Sequence, residues 1–302
     1  MSLTALVLGL GLIGCGQGET EGDAAEQPAQ VTPTVDSLAG VLLDTTRSQE
    51  GREALISDHP DKAVALVKAM TDDITPGTEE EYSRIPWIWR VSIALGERNN
   101  ADEIRRLLEV SLPGSDEPLL EWQSVVVGGG IINGISRHGG WPKRRVENII
   151  GDDQELMDRW SRANDLASKM ADNEEVAYPY RYDALRMIAM NPWKESSDQL
   201  IKYLSGDFDA QLQMGSISGL SDMRSSNVPQ VLVEHFGAIS TDRNRELALD
   251  ALMRTTDRRM ALVDAVEGGT ISEDVLGEDR IKQLQNSSNA ELKKRAAEVF
   301  GS

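Results

Sequence analysis

The 302-residue chain sets 50 acidic against 31 basic side chains, a formal charge of −19, and this balance argues against nucleic acid and against adsorption to anionic lipid head groups, both of which are held by Lys and Arg. Its single cysteine, Cys15, excludes an intrachain disulfide and an all-cysteine metal site. Hydrophobic residues make up 40% and aromatic residues only 5%, which fits a folded body whose thin layers are filled by Leu, Ile, Val, Ala and Met.

Residues Leu3 to Ile13 are apolar or glycine apart from Thr4. Gly9, Gly11 and Gly14 spell GxGxxG after this run, as the start of a dinucleotide-binding unit would. That fingerprint needs a helix opening at the third glycine to hold a pyrophosphate. The residues that follow, Cys15 to Gly22, have no apolar period and too many glycines for one. The run has the length of a secretory signal core and is short for a membrane span. Its end, Leu12-Ile13-Gly14-Cys15, resembles the lipobox of bacterial lipoproteins. The resemblance implies a signal peptide over residues 1–14 and lipidation of Cys15 as the new N-terminus. It further implies a membrane anchor in the bacterial cell envelope, on the periplasmic face or at the outer membrane. Met1 to Thr4 depart from the pattern in lacking Lys or Arg. Two or more acyl chains anchor stably where one binds only marginally.

Residues 15–35, rich in Gly, Gln, Glu, Ala, Thr and Pro and without a basic residue, read as an acidic disordered tether. Residues 36–302 read as a helical domain. The pattern begins at Asp36, with Asp36 or Ser37 as a cap and Leu38, Val41, Leu42 and Thr45 at helical spacing. A second helix is predicted with Pro60 just inside it and Ala63, Leu66, Val67 and Met70 inward, before a break at Asp72 to Thr78. An aromatic helix follows with Tyr82, Trp87, Trp89, Val91 and Leu95, where Pro86 marks a kink or a later start. Its tryptophans fill an inter-helix layer or, alternatively, stack on a ligand. Asp102 to Leu112 is a compact partner helix.

Leu119 to Ser136 contains Val125-Val126-Val127-Gly128-Gly129-Gly130-Ile131-Ile132, compatible with a β hairpin or with a buried helix whose glycines admit a close neighbour. The helix is preferred because everything around it is helical. Trp141-Pro142-Lys143-Arg144-Arg145 is a strongly basic cluster at a helix start, solvated or able to dock an acidic partner. Asp153 to Met170 is a longer amphipathic helix. Thereafter helix starts at Tyr178, Asp209 and Asp242 give steps of 31 and 33 residues, the spacing of helix pairs in an α-solenoid.

Asn244 to Leu252 resembles the repeat core of HEAT-like domains. Its continuation through Ala261 to Ile271, Arg280 to Leu284 and Leu292 to Phe300 is similar to the HEAT segment of large secreted bacterial proteins that join a propeller dehydrogenase to a cytochrome c domain. The resemblance implies an all-α, HEAT-like α-solenoid of antiparallel helix pairs. CxxCH is absent, so no c-type haem can attach, and no all-β region precedes the helices. The step is also shorter than that of HEAT units.

His59, His138 and His235 are far apart and lack a zinc-binding spacing; His235 falls on an apolar stripe. Gly215-Ser216-Ile217-Ser218-Gly219 has Ile217 where a nucleophile elbow needs serine. Acidic doublets such as Asp152-Asp153 and Glu174-Glu175 point apart on a helix and are not ready acid/base pairs. The expected function is a non-catalytic, lipid-anchored scaffold that binds a protein partner on its concave face, with no cofactor and no metal. The alternatives are an accessory subunit of a periplasmic dehydrogenase/cytochrome c system, or a helical enzyme acting on polysaccharide through two carboxylates near Trp87, Trp89 or Trp141.

Overall fold

In the computed structural model, residues 33–301 are described. Cys15, the GxGxxG stretch, the predicted signal peptide and nearly all of the predicted tether lie outside the described residues. The protein is all-helical: among the described residues there are sixteen α-helices, three short 3-10 turns and no strand.

The chain opens with α1 (Val35–Leu43), α2 (Gln49–Asp58) and α3 (Ala63–Thr71). Thr34 caps α1 by accepting from the Ser37 amide, so the start falls ahead of the expected Asp36 or Ser37 cap. Pro60 belongs to a 3-10 turn preceding α3. The α2 helix was not expected, and the reason is physical: only Ile56 is buried on it, so it carries no apolar stripe. Next come α4 (Glu79–Arg98), α5 (Ala101–Ser111), α6 (Glu121–Arg137), α7 (Pro142–Ile150) and α8 (Gln154–Asp172). Pro86 lies within α4, whose start is fixed about two turns earlier by Thr78 accepting from the Glu81 amide.

Six helices follow: α9 (Tyr178–Ile188), α10 (Trp193–Lys202), α11 (Ala210–Asp222), α12 (Val228–His235), α13 (Asp242–Met253) and α14 (Thr256–Glu267). Asp209 and Thr241 cap α11 and α13, so the expected starts hold to within a residue. Finally α15 (Gly277–Gln285), again with one buried side chain, Leu284, precedes α16 (Ala290–Phe300).

Packing links α4 to α6, α6 to α9, α9 to α11 and α11 to α13, a row in which each helix meets its neighbours. A second set, interleaved with the end of the first in the chain, has α12 on α14 and α14 on α16. The α8 helix interrupts this alternation by packing on both α6 and α9. The ambiguous glycine-rich segment is α6, and its glycines are where the row closes. A Cβ on Gly96 would meet the Ile131 carbonyl at 2.5 Å, one on Gly130 would meet Ser92 Cβ at 2.6 Å, and one on Gly128 would meet Met187 Sδ at 2.5 Å. The backbones of α4 and α6 approach each other because no side chain separates them. One hydrophobic cluster extends from Leu38 in α1 to Ala296 in α16.

Candidate functional site

A cleft of about 430 Å³ crosses the row from α4 to α13. Ile85, Pro86, Pro179, Met214 and Leu247 give it apolar walls, and Trp89 and Asp183 meet within it. A second cleft of about 370 Å³ shares Asn133, Arg186, Ser218 and Leu247 with the first and continues toward Arg137, Asp250 and Arg254. Met214 of α11 is half-buried on the cleft wall, while Ile217 and Leu220 of the same helix are in the core.

The polar residues here are held from several helices. Trp89 Nε1 donates to Asp183 Oδ1 at 3.0 Å, tying α4 to α9. Burial pushes the Asp183 carboxyl well above the usual carboxylate range, against the opposing influence of the Trp89 hydrogen bond and the Arg186 charge. Gly129 makes room for it: a Cβ there would sit 2.7 Å from Asp183 Oδ1. One turn on, Arg186 Nη2 donates to Asp222 Oδ2 at 2.7 Å and Nη1 to the Tyr182 hydroxyl at 3.3 Å. Asp222 is fully buried and also accepts from Ser136 and from Arg254 Nη1, the latter at 2.8 Å. One carboxylate thus joins side chains of α6 and α9 to Arg254, just past the end of α13. Arg186 Nε is buried without an acceptor among the described residues.

The lining has a charge unlike that of the chain. Arg90, Arg137, Arg186, Arg243 and Arg254 face Asp183 and Asp250, although the whole protein is strongly acidic. Arg90 is engaged by Glu53 at 2.9 Å and Asp250 by Arg280 at 2.6 Å. Arg243 is exposed and has no carboxylate partner among the described residues.

The other residues singled out in the sequence are dispersed. Trp87 is buried beneath the Arg52 guanidinium, 4.1 Å from its ring, and fills a layer; Trp89 alone of the aromatic helix's tryptophans reaches the cleft. Trp141 stands elsewhere, half-buried among Arg224, Arg254 and Arg258. His235 is half-buried rather than in the core, and His138 is exposed. Ser216 lies inside α11 with its hydroxyl donating to the Leu200 carbonyl at 2.6 Å, so the segment 215–219 forms no elbow. Among the described residues no group of three or more His, Cys, Asp or Glu is placed to hold a metal ion, and no helix is long and apolar enough to cross a membrane.

Glu81 and Glu121 come together near Tyr180, whose hydroxyl donates to Glu81 Oε1 at 3.5 Å. Burial, then the Glu81 charge, pushes the Glu121 carboxyl up. Neither residue lines the central clefts. Sequence reasoning missed Asp183, Arg186 and Asp222. A signal was present, because Arg181, Asp183 and Arg186 put charge on a helix whose other faces are apolar, leaving no solvent side for all three.

Comparison with protein-family models, with curated proteins and with solved structures finds no match for this chain.

Proposed function

We propose that the protein is a non-catalytic, lipid-anchored α-solenoid of HEAT-like helix pairs that binds a protein partner in the bacterial envelope. The observation that carries the reading is the cleft across α4, α6, α9, α11 and α13, apolar on its walls and arginine-rich at its edges. Such a surface suits an extended or helical segment bearing apolar side chains and carboxylates. The solenoid reading is supported by near-neighbour packing along the row and by the 31- and 33-residue steps. The anchor reading is supported by the lipobox around Cys15.

Hydrolysis of a polysaccharide by paired carboxylates would call for two acids about 5–10 Å apart across a cleft. The larger cleft has one, Asp183, and burial holds its carboxyl well above the usual carboxylate range. The deciding experiment places a photo-crosslinking residue at Gln211 or Arg243 of the full chain and, as a control, at exposed Val110. The expected result is a discrete envelope-protein adduct from the cleft positions, lost in the presence of Arg90→Glu. Equal labelling from Val110, or polysaccharide cleavage by the purified protein with no specific adduct, would overturn it.

A further inference from the structure

Away from the central clefts, a cavity of about 480 Å³ opens beside Trp141 and is walled by Arg144, Trp193, Arg224, Ser225 and Ser226. A smaller one of about 300 Å³ shares Trp141, Arg224, Ser225 and Ser226 and adds Thr255 and Arg258. Trp141, Pro192, Asn227 and Thr255 are the residues from which α7, α10, α12 and α14 start, so four helix N-termini gather around this edge. Their unpaired amides add positive potential.

The acids in these walls are mostly committed. Asp222 is held by Arg186 and Arg254, and Glu147 by Lys143 at 3.2 Å. Arg144 and Arg224 are exposed and have no carboxylate partner among the described residues. Asp257 also lies in the smaller wall. Arg254, which lines the second central cleft, holds Trp141 in place: it stacks 4.3 Å from the Trp141 ring centre and donates to the Gly140 carbonyl at 2.7 Å. The Arg224 guanidinium lies 5.4 Å from the same ring. Burial, then the Arg254 charge, lowers Arg258 to about 10, which leaves it cationic at neutral pH.

The loop joining α11 to α12 supplies neutral donors. The main-chain N–H groups of Arg224, Ser225 and Ser226 have no acceptor among the described residues. Ser225 Oγ accepts from the Asn227 amide at 3.2 Å, which leaves its own O–H to donate, and Ser226 is exposed. Two guanidinium groups from separate elements, two hydroxyls and a run of amides belong to residues that line one cavity. A planar carboxylate is satisfied by one guanidinium fork, whereas a tetrahedral oxyanion uses donors on several sides.

We propose that this cavity binds a phosphoryl anion, held by Arg144 and Arg224 together with the hydroxyls and main-chain amides of Ser225 and Ser226, with Trp141 and Trp193 flanking the organic part of the ester. The ligand is a soluble phosphate ester or a phospholipid head group; the chemistry at the site is the same.

The test uses full-length Cys15→Ala protein, so that an acyl anchor cannot hold it to vesicles. One arm titrates inorganic pyrophosphate calorimetrically, with acetate at equal ionic strength as the comparison. The other measures co-sedimentation with phosphatidylcholine vesicles containing or lacking phosphatidylglycerol. Binding is expected in at least one arm, and the Arg144→Gln/Arg224→Gln double variant should weaken it about tenfold or more with unchanged circular dichroism. Arg243→Gln, in the central cleft, should leave it intact. Binding of pyrophosphate identifies a soluble ester, and binding to vesicles alone identifies a head group. No binding in either arm, an unaltered double variant, or acetate binding as well as pyrophosphate would each overturn the proposal.

Discussion

The indole of Trp89 donates its N–H to the carboxyl of Asp183, 94 residues further along the chain, and this bond at 3.0 Å crosses between α4 and α9 inside the central cleft. Asp183 is buried, and its carboxyl titrates well above the usual carboxylate range because burial disfavours its charged form. Once pH exceeds the unfolded carboxylate pKa, the folded state binds the extra proton, so stability falls as pH rises through the window up to the folded pKa. Asp183→Asn keeps an oxygen acceptor for Trp89 and removes the titration. It should raise stability at pH 7 by about 1 kcal/mol, or about 2–4 °C in Tm, and flatten the decline. Thermal melts across pH check this; a variant less stable than the parent at pH 7 would refute the upward shift of the Asp183 carboxyl.

Two glycines in helices should respond in opposite directions. A Cβ on Gly134 of α6 would run into the Ile93 carbonyl and lie 2.5 Å from the Glu97 amide nitrogen, so Gly134→Ala should cost about 1–3 kcal/mol or more by forcing α4 and α6 apart. Gly40 in α1 is exposed and meets nothing within 4 Å, so Gly40→Ala should stabilise by about 0.4–1 kcal/mol. Urea unfolding followed by circular dichroism gives both values.

Asp222 is the shared acceptor of Ser136, Arg186 and Arg254. Asp222→Ala leaves the buried Arg186 and the half-buried Arg254 without their shared carboxylate and should cost about 3–5 kcal/mol. Asp222→Asn should cost less, since its amide oxygen still accepts from one of them. If both variants unfold at the parent's urea midpoint, the carboxylate does not hold these helices together.

Cys15→Ala tests the proposed anchor. The substituted protein should move from the membrane to the soluble fraction of fractionated cells, because loss of acylation removes about 0.8 kcal/mol for every buried methylene. Retention on the membrane would place the attachment elsewhere in the chain.

Much of the helix order was legible because apolar spacing, capping residues and breaks agreed. Asp153, Asp209 and Asn191-Pro192 each mark a boundary found in the structure. Where that agreement failed, the reading failed. The α2 and α15 helices bury one side chain each and so leave no stripe, whereas α6, whose three consecutive glycines satisfy hairpin and helix alike, was read as a helix only from its helical surroundings. The candidate site was far less legible. Trp89 was noticed, but not that it differs from Trp87, because both lie on one aromatic helix and only the neighbouring helices decide which is buried.

By itself the sequence determined an acidic, helical protein with a 31–33-residue step near its C-terminal end and a lipobox-like stretch at its start. Those properties depend on composition and on contacts within a few residues, which a linear pattern records. Tertiary structure decided that the glycines of α6 join α4 closely, that burial raises the Asp183 carboxyl, that Asp222 gathers two arginines, and that arginines line both the cleft and the Trp141 cavity in a chain of opposite net charge. Each of these depends on residues brought together from distant segments, where burial and local charge are set by neighbours that the sequence order does not reveal.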